Sequence, residues 1–285
     1  SLRDRERYGL ALTLGGGDVR LLELTAAYGA LANGGHRLTV DPVLAVLDAK
    51  AWRRASGDAG AGLAELRERR GISAAPVIAP QVAFLVTDIL ADDRARLPAF
   101  GEDSVLALSR PAAAKTGTTT DFRDNWTVGY TPDLVTGVWL GNADNSPMEH
   151  ISGITGAGPI WHDFMEEALR GRPVLAFTRP EGLRRVAVCA SSGLLPTPAC
   201  RRPATEWFIA GTEPRTVDRS YVALDLDDAT GLAWAEGCRG PRIRRILRLL
   251  PPAAADWGRA AGLPEAPRET CRGERVVVEA LGGVL

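Results

Sequence analysis

Only two lysines, Lys50 and Lys115, stand among the 34 basic residues of this sequence; arginine is the cation everywhere else. Lys115 heads the run Lys115-Thr116-Gly117-Thr118-Thr119-Thr120. On an extended strand the hydroxyls of Thr116 and Thr118 share one face, because side chains alternate with period two. Gly117 between them carries no side chain, so a ligand backbone can lie close against the strand. Two hydroxyls and an ammonium can bind a carboxylate, and an exposed edge can pair with an extended peptide. A free N–H just after the glycine can face a developing oxyanion. Taken alone, the tripeptide is equally consistent with an ordinary strand end, since threonine favours strands.

Other constellations carry less. The residues before Lys115 are alanines, so this is not a phosphate-binding Walker loop, and Gly15-Gly16-Gly17 reads as a turn rather than a dinucleotide fingerprint. The four cysteines, Cys189, Cys200, Cys238 and Cys271, lack zinc-knuckle spacing, and His36, His150 and His162 lie near none of them in sequence. No metal or other cofactor is expected. An even count confined to one segment suits disulfides in an oxidising compartment, with buried free thiols as the alternative. Cys189 and Cys200 are the pair expected to bridge across a hairpin-like loop. His162 and Asp163 are neighbours on an expected helix and do not face each other, so they read as a solvated face. Asp92-Asp93 reads as surface at a helix end.

The elements that must position the lysine follow from periodicity. Residues 19–33 form a helix with Leu21, Leu24, Tyr28 and Leu31 inward, Asp18 as its N-cap and Asn33-Gly34-Gly35 as its stop. The apolar run after Pro42 reads as a strand, and residues 49–75 as a variable surface excursion. Pro80 opens a second helix with a buried stripe of Val82, Leu85, Val86 and Ile89. Residues 104–119 and 125–141 are β-rich. Within them, 112–119 should pair antiparallel with 125–131, which pairs with 134–141 across a Thr131-Pro132-Asp133 turn. Trp126 and Trp139 are expected in the core, although Trp126 can instead border a substrate groove. Gly153, Gly156 and Gly158 mark a loop. A helix over 159–170 then buries Trp161, Phe164, Met165, Ala168 and Leu169, and Gly171 ends it. This order gives an α+β fold, an antiparallel sheet with packed helices.

Beyond residue 178 the texture turns to proline-rich connections and cysteines, giving two regions, 1–178 and 179–285, with no internal repeat apparent. The stretch 241–252 reads as a half-exposed strand in preference to a membrane-surface helix. The net charge of −1 gives no reason to expect nucleic acid, and no run of apolar residues is long enough to cross a membrane.

Lys-Thr-Gly is one of the three short signatures of penicillin-binding proteins and serine β-lactamases. Here it is followed by Arg123-Asp124-Asn125-Trp126, Val128-Gly129-Tyr130-Thr131-Pro132 and Gly137-Val138-Trp139-Leu140-Gly141. This block resembles the transpeptidase domain of class A (bifunctional) penicillin-binding proteins. So do LTAAYGALANGG upstream and Pro159-Ile160-Trp161 with Phe164-Met165 downstream. The segment from Cys189 to Cys200, with Gly211-Thr212-Glu213-Pro214, resembles the extension many of these proteins carry. By that resemblance Lys115 supplies charge and hydrogen bonding beneath the site. Thr116 and Thr118 bind the carboxylate of a stem peptide or a β-lactam, Gly117 lies between them, and the Thr118 amide forms half of the oxyanion hole. The implied partners are peptidoglycan stem peptides, lipid-linked precursor and glycan strands, with β-lactams as inhibitors.

The family's Ser-x-x-Lys and Ser-x-Asn motifs do not occur in this sequence. By the resemblance they precede Ser1, as do a glycosyltransferase domain and a membrane-anchoring helix on the extracytoplasmic side. The expectation is one wall of a DD-transpeptidase site, inactive by itself for want of a nucleophile. A carboxypeptidase or β-lactamase of the same fold, and a non-catalytic peptide-binding module, remain as alternatives.

Overall fold

The computed structural model describes residues 8–40, 43 and 74–276. The chain forms two compact units, residues 1–182 and 183–285. The apolar run at 44–48 and most of the excursion at 49–75 fall outside the described residues.

The first unit is built on a three-stranded antiparallel sheet. Its strands are β3 (Ala113–Thr118), β4 (Asp124–Tyr130) and β5 (Val135–Gly141), in that spatial order. Thr116 lies opposite Thr127, and Gly117 opposite Trp126. The β4–β5 turn closes with Thr131 N–H donating to Leu134 O and the Thr131 hydroxyl donating to Asp133. Helices cover both faces. Helix α1 (Leu21–Ala32) lies on the face of Tyr130 and Gly137, where its approach is very close. A Cβ added at Gly137 would sit 2.1 Å from Thr25 Oγ1. Helix α2 (Pro80–Leu90) joins it there, its Thr87 hydroxyl 2.9 Å from the Tyr130 hydroxyl. Helix α4 (Ala157–Ala168) covers the other face, with the fully buried Trp161 seated against Gly129. Leu106, Ala112, Ala114, Met165 and Leu169 complete that core. A short pair, β1 (His36–Leu38) and β2 (Ala74–Pro76), lies beside α1. Ala74 and Ala75, expected in the surface excursion, are therefore in a strand.

The structure alters several expectations. Helix α1 starts at Leu21 with Arg20 at the cap position and no side-chain cap, so Asp18 does not serve. Helix α2 turns its small face inward. Ala83 and Thr87 are buried, while Val82 and Ile89 are exposed, because close approach to Tyr130 favours small side chains. On α4, Phe164 is exposed. Only Ala113–Thr118 of the 104–119 run is a strand; the stretch before it turns, its Leu106 N–H bonded to the Ser104 hydroxyl. An additional helix, α3 (Asp93–Phe100), follows α2, and the carboxylate of Asp92 caps it by accepting from Arg94 N and Ala95 N.

The second unit is two antiparallel hairpins. The first joins β6 (Leu183–Cys189) to β7 (Pro203–Ile209), and the second joins β8 (Tyr221–Asp227) to β9 (Arg242–Arg248). The basic stretch at 241–252 is thus chiefly a strand. Disulfides join Cys189 to Cys200 and Cys238 to Cys271, with Cα separations of 5.9 and 5.8 Å.

Candidate active-site strand

Strand β3 is the edge of its sheet, and among the described residues no strand pairs with its outer side. Which groups it presents there follows from one hydrogen bond. Thr119 N–H donates to Asp124 O, so pairing alternates back along the strand from that point. The N–H and C=O of Gly117 and Lys115 turn toward β4, whereas those of Thr118 and Thr116 turn outward. The open edge therefore offers the Thr118 amide as a donor, one residue after the glycine.

Lys115 is exposed, and its ammonium donates to Thr116 O at 2.7 Å. That carbonyl is one of the outward ones, so the lysine head lies at the open edge. Alternation puts the Lys115 side chain on the face of Trp126 and the Thr116 and Thr118 hydroxyls on the opposite face. The structure thus joins the ammonium and the hydroxyls through the edge, and not on one face. Trp126 is half-buried across from Gly117, 3.4 Å from where a Cβ would stand. Trp139, expected in the core, is 40% exposed, and its indole N–H donates to Asp124 at 2.8 Å. Its polar contact at the strand end holds it there.

Thr118, with two side chains not given a role above, Asn125 and Thr127, fixes the other face. Thr118 Oγ1 accepts from Gly153 N–H at 2.9 Å, which leaves its hydroxyl hydrogen free to donate elsewhere. Thr127 donates to Gly153 O at 3.0 Å, and the buried Asn125 donates to Ile151 O at 2.7 Å. These bonds pin the glycine loop across the strands. A Cβ at Gly153 would meet Gly117 O at 2.7 Å and Trp126 O at 2.8 Å, so only glycine permits this approach. The available signal was Asn125 itself, a residue type depleted from strands.

The start of β3 is held as well. Glu166 on α4 accepts from Ser109 N at 2.6 Å and from its hydroxyl at 2.8 Å. The Ser109 backbone bond is the main cause that holds this carboxyl below the usual glutamate range. Arg110 donates to Leu169 O and Pro173 O. His162 lies near enough to Glu166 to help hold it ionised, and Asp163 is exposed.

Residues 179–223 match the family model described as the penicillin-binding protein 1A C-terminal domain. The chain is 32% identical over 212 residues to penicillin-binding protein 2D of Bacillus subtilis, covering 73% of this chain and 28% of that protein. It is 33% identical over 175 residues to penicillin-binding protein 1A of Neisseria lactamica, covering 61% of this chain and 21% of that one. In fold it is similar to the crystal structure of penicillin-binding protein 1A from Haemophilus influenzae. The TM-score is 0.54 at 25% identity, over 73% of this chain and 34% of the other. The chain thus spans only about a quarter of the curated relatives' length. With the sheet, its covering helices and the Lys-Thr-Gly edge in place, these likenesses assign the chain to the penicillin-binding protein family.

Proposed function

We propose that this chain supplies the substrate-binding wall of a serine DD-transpeptidase that cross-links peptidoglycan stem peptides, within a protein that also carries a glycosyltransferase domain. The observation that carries the reading is the open edge of β3, with Lys115 at its rim and the Thr118 amide turned outward. An extended stem peptide, or a β-lactam mimicking it, adds alongside this edge. Its carboxylate takes the free hydroxyl hydrogen of Thr118 and that of Thr116. Gly117 lets its backbone approach, and Trp126 borders it beyond the glycine. When a serine attacks the scissile carbonyl, the Thr118 N–H meets the oxygen that gains charge. Lys115 keeps that region positive as a compact, rotatable ammonium, a role a planar guanidinium does not fill.

The nucleophilic serine and its lysine lie outside this sequence in this reading, so the chain by itself has no group to acylate. The full protein works at the extracytoplasmic face of the bacterial cytoplasmic membrane, held by an N-terminal helix, on lipid-linked precursor and glycan strands. Among the described residues of this chain no helix is long and apolar enough to cross a membrane.

Time-resolved labelling with a fluorescent penicillin tests this. The 285-residue chain should take no covalent label, and the longer parent should take it. Lys115→Ala in the parent should slow acylation on the order of a hundredfold or more, the effect of removing about 3 kcal/mol of preorganised stabilisation. Unchanged acylation would make Lys115 a surface lysine and overturn the assignment.

A further inference from the structure

The two hairpins of the second unit match each other position by position through the first strand and its turn. Strands β6 and β8 begin 38 positions apart, at Leu183 and Tyr221, and end 38 apart, at Cys189 and Asp227. The turns that follow use the same bonds. Gly193 N–H donates to Cys189 O, and Gly231 N–H to Asp227 O, both at 2.8 Å. Cys189 N–H donates to Leu194 O, as Asp227 N–H does to Leu232 O. Both turn glycines, Gly193 and Gly231, have φ of +70°. Ser192 and Thr230 then bond, through their hydroxyls, the N–H of Leu194 and Leu232.

The correspondence continues past the turn. Cys200 N–H donates to Thr197 O, and Cys238 N–H to Ala235 O. One residue is then added in the second hairpin, so Ala190 N–H to Arg202 O becomes Asp228 N–H to Pro241 O. The chain returns to the same place in both cases. Leu195 forms a parallel bridge with Val217, and Ala233 with Thr270. Asp218 N–H then donates to Leu195 O, as Cys271 N–H does to Ala233 O. The second return is longer and carries the short helix α5 (Ala255–Ala260). Any two hairpins share a ladder; they do not share this series of turn bonds at a constant spacing of 38, followed by return bonds in the same order.

Three positions correspond: Cys189 with Asp227, Cys200 with Cys238, and Asp218 with Cys271. In each copy one ligand-type atom from each of the three lies within 4.8 Å of the others. Each trio holds two cysteines and one aspartate, but arranged differently. The first hairpin joins its first and second positions and has the aspartate third. The second joins its second and third and has the aspartate first. Both aspartates are 1% exposed and bond the backbone two residues on, Asp218 to Ser220 N and Asp227 to Ala229 N.

We propose that residues 183–218 and 221–271 are two copies of one module, and that the middle cysteine of each can be bonded from either side. The second copy is therefore a further domain of the kind matched at 179–223. A hairpin of this size buries too little apolar surface to hold itself, so each copy needs one crosslink. The third position is free to carry a carboxylate that caps a turn. Neither copy requires its crosslink in one fixed place.

Disulfide mapping tests the equivalence. The full 285-residue chain carrying Asp218→Cys is refolded with oxidised glutathione, which takes up the two protons and two electrons of each new bond and leaves as two thiols. Because this variant keeps Cys189 and Cys200, its parental bond remains open to it. Non-reducing peptide mass spectrometry should find Cys200 bonded to Cys189 in some molecules and to the residue introduced at 218 in others. The double variant Cys189→Asp, Asp218→Cys should hold a single 200-to-218 bond, the pattern of the second copy. If Asp218→Cys yields only the Cys189–Cys200 bond, with the introduced thiol alkylated in every molecule, the positions are not equivalent and the proposal falls.

Discussion

The two units of this chain hold their strands by different means. In residues 1–182 a sheet is covered on both faces, and large side chains such as Trp161, Tyr130 and Met165 are removed from water altogether. Among the described residues of the second unit, 183–276, each sheet has two strands, and the largest fully buried side chains are Val188, two aspartates and a cysteine. Apolar burial at about 25 cal/mol per Å² stabilises the first kind of structure without help. A lone hairpin is marginal in water, so the second kind depends on covalent closure. Helices on both faces of the three-stranded sheet help to keep its edge strand β3 in place.

Reduction of both disulfides should give the largest effect. The links span separations of 11 and 33 residues, for which loop entropy predicts losses of about 3 and about 4 kcal/mol. Hydrogen exchange should then show residues 183–276 losing protection while β3, β4 and β5 keep theirs. Equal loss in both units would erase the contrast. Trp161→Ala should do the reverse, costing the first unit about 3–5 kcal/mol in denaturant melts and leaving both disulfides formed.

A pH experiment sharpens the comparison. Burial pushes the Tyr130 phenol up to about 12 from its ordinary 10.0, against a smaller opposing effect of the Thr87 hydrogen bond. Burial also raises Tyr28. The fold favours the neutral phenol, so this stabilisation is complete below the ordinary value and is lost as pH rises through about 12. Ultraviolet difference titration should show Tyr28 and Tyr130 ionising above the ordinary tyrosine range. Ionisation of Tyr130 at the ordinary value would mean the first unit's core is open to water. The smallest change is Asp92→Ala, which removes the cap of α3 and should cost about 1 kcal/mol in a thermal melt.

Much of this architecture was legible from alternation and punctuation. The three strands, the turn at Thr131-Pro132-Asp133 and the helix ending near Gly171 each carry a local signal. Helix α3 was hidden because Pro98 interrupts its pattern. The inward face of α2 differs from its apolar stripe for another reason, whereas on α4 only Phe164 departs from the expected face. Periodicity identifies apolar positions, but on α2 the close approach to Tyr130 selects the small ones, Ala83 and Thr87, and leaves Val82 and Ile89 outside. At the candidate site, the types of Lys115, Thr116, Gly117 and Thr118 were readable. The face on which each falls follows from alternation, but which amide turns to the open edge requires the pairing of Thr119 with Asp124. The clamp from Asn125 and Thr127 to the 151–153 loop joins residues about 26 apart, a contact that no local pattern encodes. The hairpin repeat escaped because few side chains match, while the backbone bonds do.

In the proposed function the outward Thr118 amide serves the chemistry and not the sheet. Thr118→Pro in the longer parent removes that N–H without breaking a ladder bond to β4. Far-ultraviolet circular dichroism should match the parent, and acylation by fluorescent penicillin should fall on the order of a hundredfold or more, as for loss of an oxyanion donor. A folded Thr118→Pro variant that acylates at the parental rate would contradict the account.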